Sequence, residues 1–266
     1  MNMHTWRFID SGTASAQWNM AVDEALLYSF REGDLPIFRL YRWEEPSLSL
    51  GRFSQIEEVL EREKLHTERI PYVRRMTGGG ILVHGSDISY SLVVPRSFIQ
   101  DTGVKEGYRH LCRFLIDLYR QLGLDAAFAH DLQLAETQSP VCLAGTEAYD
   151  IIVSGRKIGG NAQRHTRQAL LQHGSIPLEI KREHFEALFH GDSGLDNAAS
   201  LQGCGIDMTD TRLTAAVKKA FEESYGVALE EGALQPVEAL LAKKLYHEKY
   251  DTEKWNVYAE HTIQQT

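Results

Sequence analysis

Arg74-Arg75-Met76-Thr77-Gly78-Gly79-Gly80, running on into Ile81-Leu82-Val83-His84, is the stretch that decides the reading of this chain. Tyr72 to Arg75 and Gly80 to His84 alternate as strands do, and the glycines between them make a turn free of side chains. Backbone N–H groups in such a turn can close on a phosphate, a carbonyl or an oxyanion. The two arginines offer charge-assisted donors to a phosphate. A tight hairpin with solvated arginines is the alternative. The pattern is neither GxxxxGK[ST] nor GxGxxG, so it is not a P-loop or a dinucleotide fingerprint.

Outward from this turn, short strands and helices interleave. Trp6 to Ile9 predicts a strand closed by a turn at Asp10-Ser11-Gly12. Ser15 to Arg31 predicts a helix, with Met20, Leu26, Leu27 and Phe30 on its apolar face and Asp23 and Glu24 on its polar one. Phe38–Tyr41, Ser47–Leu50 and Ile88–Val94 read as strands, and Ile56–Leu65 and Tyr108–Leu122 as helices. Ala148 to Gln163 suggests a hairpin about Ser154-Gly155, followed by one long strand or a strand pair over Ala169–Ile180. From Thr209 the spacing turns helical, breaks at Glu231-Gly232, and resumes over Pro236–Tyr246. Strands dominate the first 180 residues and helices the tail, which argues for α+β rather than a repeated βαβ sheet. No repeat or linker divides the chain, so residues 1–266 are expected to form a single catalytic domain with a helical C-terminal segment from about 209.

Composition narrows the function. With 28 basic and 37 acidic residues the net charge is -9, which disfavours a general nucleic-acid binder. No leader pattern and no long apolar run is present, so a cytoplasmic protein away from the membrane is expected. The three cysteines make no metal pattern and a poor disulfide framework. Cys112 falls on a helix and reads as core, whereas Cys142 lies in the Pro/Gly-flanked loop Ser139 to Gly145. A loop cysteine near a basic lysine can be a low-pKa nucleophile, and a buried inert thiol is the alternative.

Two further segments carry candidates. Ser154-Gly155-Arg156-Lys157-Ile158-Gly159-Gly160-Asn161-Ala162-Gln163 sets a lysine between a turn and a glycine pair. Such a lysine can hold a carbonyl or phosphate oxygen, or it can be a solvated hairpin residue. Gln172-His173-Gly174-Ser175-Ile176 holds a histidine that either orients a substrate or serves the structure. Residues 151–170 carry Arg156, Lys157, Arg164 and Arg167 and no acid, and residues 71–80 carry Arg74 and Arg75 and no acid. If both hairpins face one cleft, an acidic protein has a basic mouth that steers anionic partners.

In order and spacing these segments resemble the lipoate–protein ligase and octanoyltransferase family over roughly residues 5–256. RRMTGGGILVH resembles its glycine-rich acyl-binding motif, GRKIGGNAQ its lysine motif and LLQHGSI the strand that follows. FIDSGTASAQWNMAVDEALL, the stretch from Pro46 to Phe53, Lys249-Tyr250 and Trp255-Asn256 match as well. The resemblance implies a biotin/lipoate-ligase-like α+β fold, a mixed and mostly antiparallel sheet flanked by helices. It also implies substrate-binding roles for Arg74, Arg75, Thr77, Gly78, Gly79, Gly80, His84, Gly159, Gly160, Asn161, Ala162 and His173.

Two chemistries occur in the family. Ligases spend ATP, with Mg2+, on an acyl-adenylate. Octanoyltransferases pass octanoyl from acyl carrier protein through a cysteine to a lysine and need no cofactor. One transferase branch carries its cysteine just upstream of the lysine motif, where this chain has Cys142, fifteen residues before Lys157. The resemblance therefore implies catalytic roles for Cys142 and Lys157, octanoyl-acyl carrier protein as donor, and lipoyl domains or glycine-cleavage H protein as acceptor; a monomer is the default expectation. Gly80, where that branch often has arginine, and Gly85-Ser86 before Asp87, where the family commonly has an aspartate directly after the histidine, keep the ligase chemistry as the alternative.

Overall fold

The structure, a computed structural model, describes residues 4–99, 103–137 and 145–260. Its strands are β1 Thr5–Ala14, β2 Ile37–Trp43, β3 Ser47–Leu50, β4 Tyr72–Arg74, β5 Leu82–His84, β6 Asp87–Pro95, β7 Ala126–Phe128, β8 Ile151–Val153, β9 Arg156–Ile158, β10 Asn161–His165, β11 Ala169–Pro177, β12 Ala198–Ala199 and β13 Ala228–Glu231. The α-helices are α1 Ala16–Ser29, α2 Ile56–Val59, α3 Arg62–Thr67, α4 Val104–Gln121, α5 Asp210–Tyr225, α6 Pro236–Leu245 and α7 Glu253–Asn256.

A six-stranded sheet in the order β10-β11-β6-β2-β1-β13 forms the centre, with smaller sheets β12-β9-β8-β7 and β4-β3-β5 beside it. Pairing is mixed and mostly antiparallel: β1 runs parallel to β2 and β13, while β2, β6, β11 and β10 pair antiparallel in turn. Alternation along β6 sends its side chains into two different cores. Ile88, Tyr90, Leu92 and Val94 face a core shared with Leu111, Phe114 and Leu118 of α4 and Val217 and Phe221 of α5. Val93 faces the opposite core, with Leu26 of α1 and Ala242 of α6. Among the described residues no helix is long and apolar enough to cross a membrane.

The expected α+β architecture is observed, with local differences. Asp10-Ser11-Gly12 does not end the first strand; it forms an irregularity within β1, where the register against β2 shifts between Asp10 and Thr13. The expected helix over 56–65 is two short helices, and Ala169 to Pro177 is one strand rather than a pair. The hairpin over 148–163 divides after β9: β9 stays with β8, and β10 joins the central sheet. β13 was not anticipated, because its Ala-Leu-Glu-Glu sequence carries no strand alternation and its place comes from pairing with β1.

The expected polar face of α1 is buried. Asp23 meets the Arg39 guanidinium at 2.7 Å and accepts from the Tyr41 hydroxyl at 3.2 Å. Glu24 accepts from Lys249 Nζ at 2.6 Å and from the Tyr250 hydroxyl. Both acids survive burial because a cation and a phenol complete their hydrogen bonding. The sequence signal was present in Lys249-Tyr250, 225 and 226 residues away from Glu24.

Arg74 is a second buried anchor. Its guanidinium donates to the carbonyls of Gly51, Arg52 and Ser54 at 2.7–3.1 Å and to those of Trp255, Asn256 and Val257 at 2.9–3.2 Å. Trp255 Nε1 donates back to the Arg74 carbonyl at 2.8 Å. The tail is thereby bolted to the base of the glycine turn.

Two outcomes are expected. Arg74→Lys offers at most three donors where a planar fork served six carbonyls, so buried acceptors are stranded. Urea unfolding should show a loss of at least about 3 kcal/mol, and calorimetry a fall in Tm of roughly 6 °C or more. For Asp23, burial alone raises the carboxyl pKa, but Arg39 and then His173 overcome this and hold it below its ordinary value. A depressed folded pKa contributes stability that is complete above the unfolded value of about 3.9 and is lost as pH falls through the folded one. Unfolding free energies measured at a series of acid pH values should therefore decline below about pH 4, and the decline should be shallower in Asp23→Asn.

Candidate active site

The glycine turn lies over the strand junction β3–β5 because Gly51 lets it. A Cβ on Gly51 would stand 1.7 Å from the Gly79 carbonyl oxygen, so no other residue fits beneath the turn. Arg75 holds the turn from inside: Nη2 donates to the carbonyls of Gly78 and Gly80 at 3.1 and 3.0 Å, and Nη1 to Ser49 O and Oγ at 2.6 and 2.8 Å. The sequence suggested that Arg74 and Arg75 offer their donors to a phosphate. The structure commits the donors described above to backbone carbonyls and the Ser49 hydroxyl, since buried carbonyls at a strand–turn junction need partners.

Beneath the turn is a narrow pocket bounded by Met20, Tyr41, Trp43 and Leu82 on its apolar side and by Gly78, Gly79, Gly160, Asn161 and Ala162 at its mouth. Two Asp–His–hydroxyl chains form its polar wall. In one, His173 Nδ1 donates to Asp23 at 2.9 Å, and His173 Nε2 lies 2.7 Å from the Thr77 hydroxyl. Burial lowers the His173 pKa, against the pull of Asp23. A neutral ring donating to Asp23 must accept from Thr77 at Nε2. In the other, His84 Nδ1 donates to Asp87 at 3.0 Å and Nε2 lies 2.7 Å from Ser49 Oγ. Trp43 stacks on His84 with ring centroids 3.8 Å apart. The Gly85-Ser86 spacer does not prevent this pairing, because Gly85 N itself donates to Asp87 at 3.0 Å. Burial alone raises the Asp87 carboxyl pKa, but His84 and the nearby donors bring it below its ordinary value.

The second component is an open cleft of about 850 Å3 that meets the pocket at Gly79. Lys157 stands in its wall, buried, with Nζ 2.7 Å from Asp150 and 3.4 Å from the Gly145 carbonyl. Asp150 is itself held by the Glu147 N–H at 2.7 Å. Lys157 and the pocket mouth are close in sequence but belong to different sheets. The backbone turns between them at Gly159, whose φ of +69° and 2.1 Å Cβ distance to the Ser175 carbonyl both demand glycine.

The expected basic mouth is not formed. Among the described residues the cleft presents Glu58, Glu136, Glu147 and Asp150 against Lys105 and Lys157. The reason is strand alternation. Arg156, adjacent to Lys157, borders a separate groove with Arg182 and Gln202 and reaches the Gly203 carbonyl. Cys142 lies outside the described residues. Cys112 is buried in the core, where burial pushes its thiol pKa up. Among the described residues no group of three or more His, Cys, Asp or Glu side chains could hold a metal ion. Asp150, Ser49 and Tyr41 were missed by the sequence reading; Asp150 alone had a local cue, as an acid preceding the β8–β9 hairpin that carries the lysine.

Residues 15–222 match the family described as "Lipoyl protein ligase A/B catalytic domain". The chain is 34% identical to a Halalkalibacterium halodurans protein named "Octanoyltransferase LipM", over 96% of this chain and 99% of that one. It is 34% identical to the Bacillus subtilis protein of the same name, with the same coverage. A solved structure described as lipoate-protein ligase A bound with ATP superposes with a TM-score of 0.83, at 26% identity over 95% of this chain and 98% of that one. The chain belongs to the lipoyl protein ligase A/B catalytic-domain family.

Proposed function

We propose that the protein is an octanoyltransferase acting as a single catalytic domain in the cytoplasm. It takes octanoyl from an acyl carrier protein onto Cys142 and passes it to a lysine of a lipoyl domain or H protein. The observation that carries this reading is Lys157, held in the cleft wall against Asp150, with Nζ at the carbonyl of Gly145, three residues beyond Cys142. Full-length kinship to proteins named octanoyltransferase points the same way.

In the first step the Cys142 thiolate attacks the thioester carbonyl. A new C–S bond forms, the donor C–S bond breaks, and the carrier thiol leaves. Asp150 favours the ammonium form of Lys157, and that charge favours the thiolate. In the second step the acceptor amine attacks the acyl-enzyme, a C–N bond forms, and Cys142 leaves with the electron pair. The amine proton passes to the cysteine, with Lys157 orienting the exchange. The alkyl chain lies in the pocket lined by Met20, Tyr41, Trp43 and Leu82. Thr77, the glycine turn, His84, His173 and the stretch Gly159–Ala162 shape that pocket and its mouth.

Thiol-for-thioester exchange is near isoenergetic and conversion of the thioester to an amide runs downhill, so on this reading no cofactor is needed. ATP with Mg2+, the alternative, fits these residues poorly. Arg74 and Arg75 spend the donors described above on carbonyls and the Ser49 hydroxyl, and among the described residues of the cleft four acids outnumber Lys105 and Lys157, which disfavours a triphosphate.

The test is intact-mass measurement after incubation with octanoyl-acyl carrier protein, without nucleotide. One octanoyl adduct is expected, absent in Cys142→Ala, and Lys157→Ala should slow transfer to a lipoyl domain by about 10²–10⁴-fold. ATP-dependent loading of free lipoate with no adduct would overturn the proposal.

A further inference from the structure

Two small cavities adjoin inside the protein. One is the pocket beneath the glycine turn, with Met20, Tyr41, Trp43 and Leu82 on its apolar side. The second is bounded by Pro46, Val83, Pro177, Ile180 and Phe185. Its buried carboxylate, Asp87, is committed to His84, to the Gly85 N–H and to the Ser89 hydroxyl. Among the described residues, Leu82 and His84 alone border both cavities.

The partition between the cavities has a backbone part and a side-chain part. Gly160 and Gly174 border the first cavity, and their chain neighbours Gly159 and Ser175 border the second. These segments are clamped together. The Ser175 N–H donates to the Gly160 carbonyl at 3.1 Å, and a Cβ on Gly159 would stand 2.1 Å from the Ser175 carbonyl oxygen. The side-chain part is Leu82 and His84, two residues apart on β5 and so on one face of it. His84 is fixed by the Trp43 ring and by its bonds to Ser49 and Asp87. Leu82 is held by packing alone, in the apolar cluster that contains Phe185 and Val83. It is therefore the member of the partition that can change size without stranding a polar group.

We infer that Leu82 sets the longest acyl chain the pocket accepts: its side chain closes the passage into the second cavity, and a smaller residue at this position joins the two cavities into one site for a longer saturated chain. This rests on the reading above that puts the alkyl chain in the first cavity. Every methylene moved from water into an apolar site strengthens binding several-fold. A hydrophobic pocket therefore favours longer chains until a steric stop intervenes, and a length limit needs such a stop. The second cavity offers apolar lining to an extended chain, so the Leu82 side chain is what opposes entry.

The experiment reads chain length in two ways. One is transfer to a lipoyl domain from octanoyl-, decanoyl- and dodecanoyl-acyl carrier protein, and the other is calorimetric binding of octanoate, decanoate and dodecanoate. In Leu82→Ala the dodecanoyl-to-octanoyl ratio of kcat/KM should rise on the order of 10-fold or more, and dodecanoate should gain affinity relative to octanoate. Leu82→Val should shift both readouts the same way by less, with thermal unfolding used to verify that each variant is folded. Ile180→Phe fills the second cavity: alone it should leave the wild-type profile unchanged, and combined with Leu82→Ala it should cancel the gain. Folded Leu82 variants with the wild-type chain-length profile, or a profile moved by Ile180→Phe alone, overturn the role of Leu82 and leave the transferase reading intact. A wild-type protein that transfers no acyl group, while the Leu82 variants still shift fatty-acid binding, overturns the transferase reading and supports the role of Leu82.

Discussion

The structure depends on two adjacent guanidinium groups that have been turned away from solvent to satisfy backbone carbonyls. Arg74 gathers the loop 51–54 and the tail 255–257, and Arg75 gathers Ser49 and the glycine turn. A run of three glycines loses more conformational entropy on ordering than any other tripeptide. Charge-assisted bonds to Gly78 and Gly80 offset that cost and leave the turn with one shape. An ammonium could not replace either fork, because its three donors cannot span carbonyls arriving from separate strands. The tail is consequently part of the site: it touches the far side of the residue next to the one that shapes the turn.

Burial of the pocket wall poses a second problem, which is solved by neutralisation in place. Asp23 and Arg39 cancel each other inside the sheet–helix interface, and His173 extends the pair to Thr77 on the turn. Asp87 is hydrogen-bonded through His84 to Ser49, which Arg75 also holds. The turn is thus braced from two sides by hydrogen-bonded chains that begin at buried carboxylates. Fully satisfied networks of this kind rigidify a wall, whereas a single missing member leaves a costly unpaired group. A rigid wall suits the proposed role of this pocket in holding a flexible alkyl chain.

Legibility in the sequence followed range. The glycine turn, the Ser154-Gly155 turn before the lysine and the tail helices are local patterns, and they are found where the sequence places them, although β10 leaves the expected hairpin and β13 interrupts the tail. The α+β class followed from the order of those patterns. What escaped was every feature set by distant partners. Asp23 and Glu24 look like a solvated face, and only Arg39 and Lys249 explain why they are inside. Arg74 looks like a phosphate ligand because carbonyl acceptors leave no trace in side-chain identity. Part of the expected basic mouth failed for a local reason that was available: adjacent strand residues point to opposite faces, so Arg156 and Lys157 could never have shared one, while Arg74 and Arg75 turn inward to carbonyls.

That acidic cleft bears on the order of events. A cleft with Glu58, Glu136, Glu147 and Asp150 around Lys157 repels a polyanion and attracts an ammonium. An acceptor lysine approaches as an ammonium, and its nucleophile is the neutral amine. On the transferase reading proposed above, the carboxylates attract the ammonium of an acceptor lysine to the cleft, where Asp150 is itself paired with Lys157 at 2.7 Å. On that reading the same charges oppose a triphosphate, whereas a thioester is neutral at its reacting carbon, which agrees with a donor that arrives already activated.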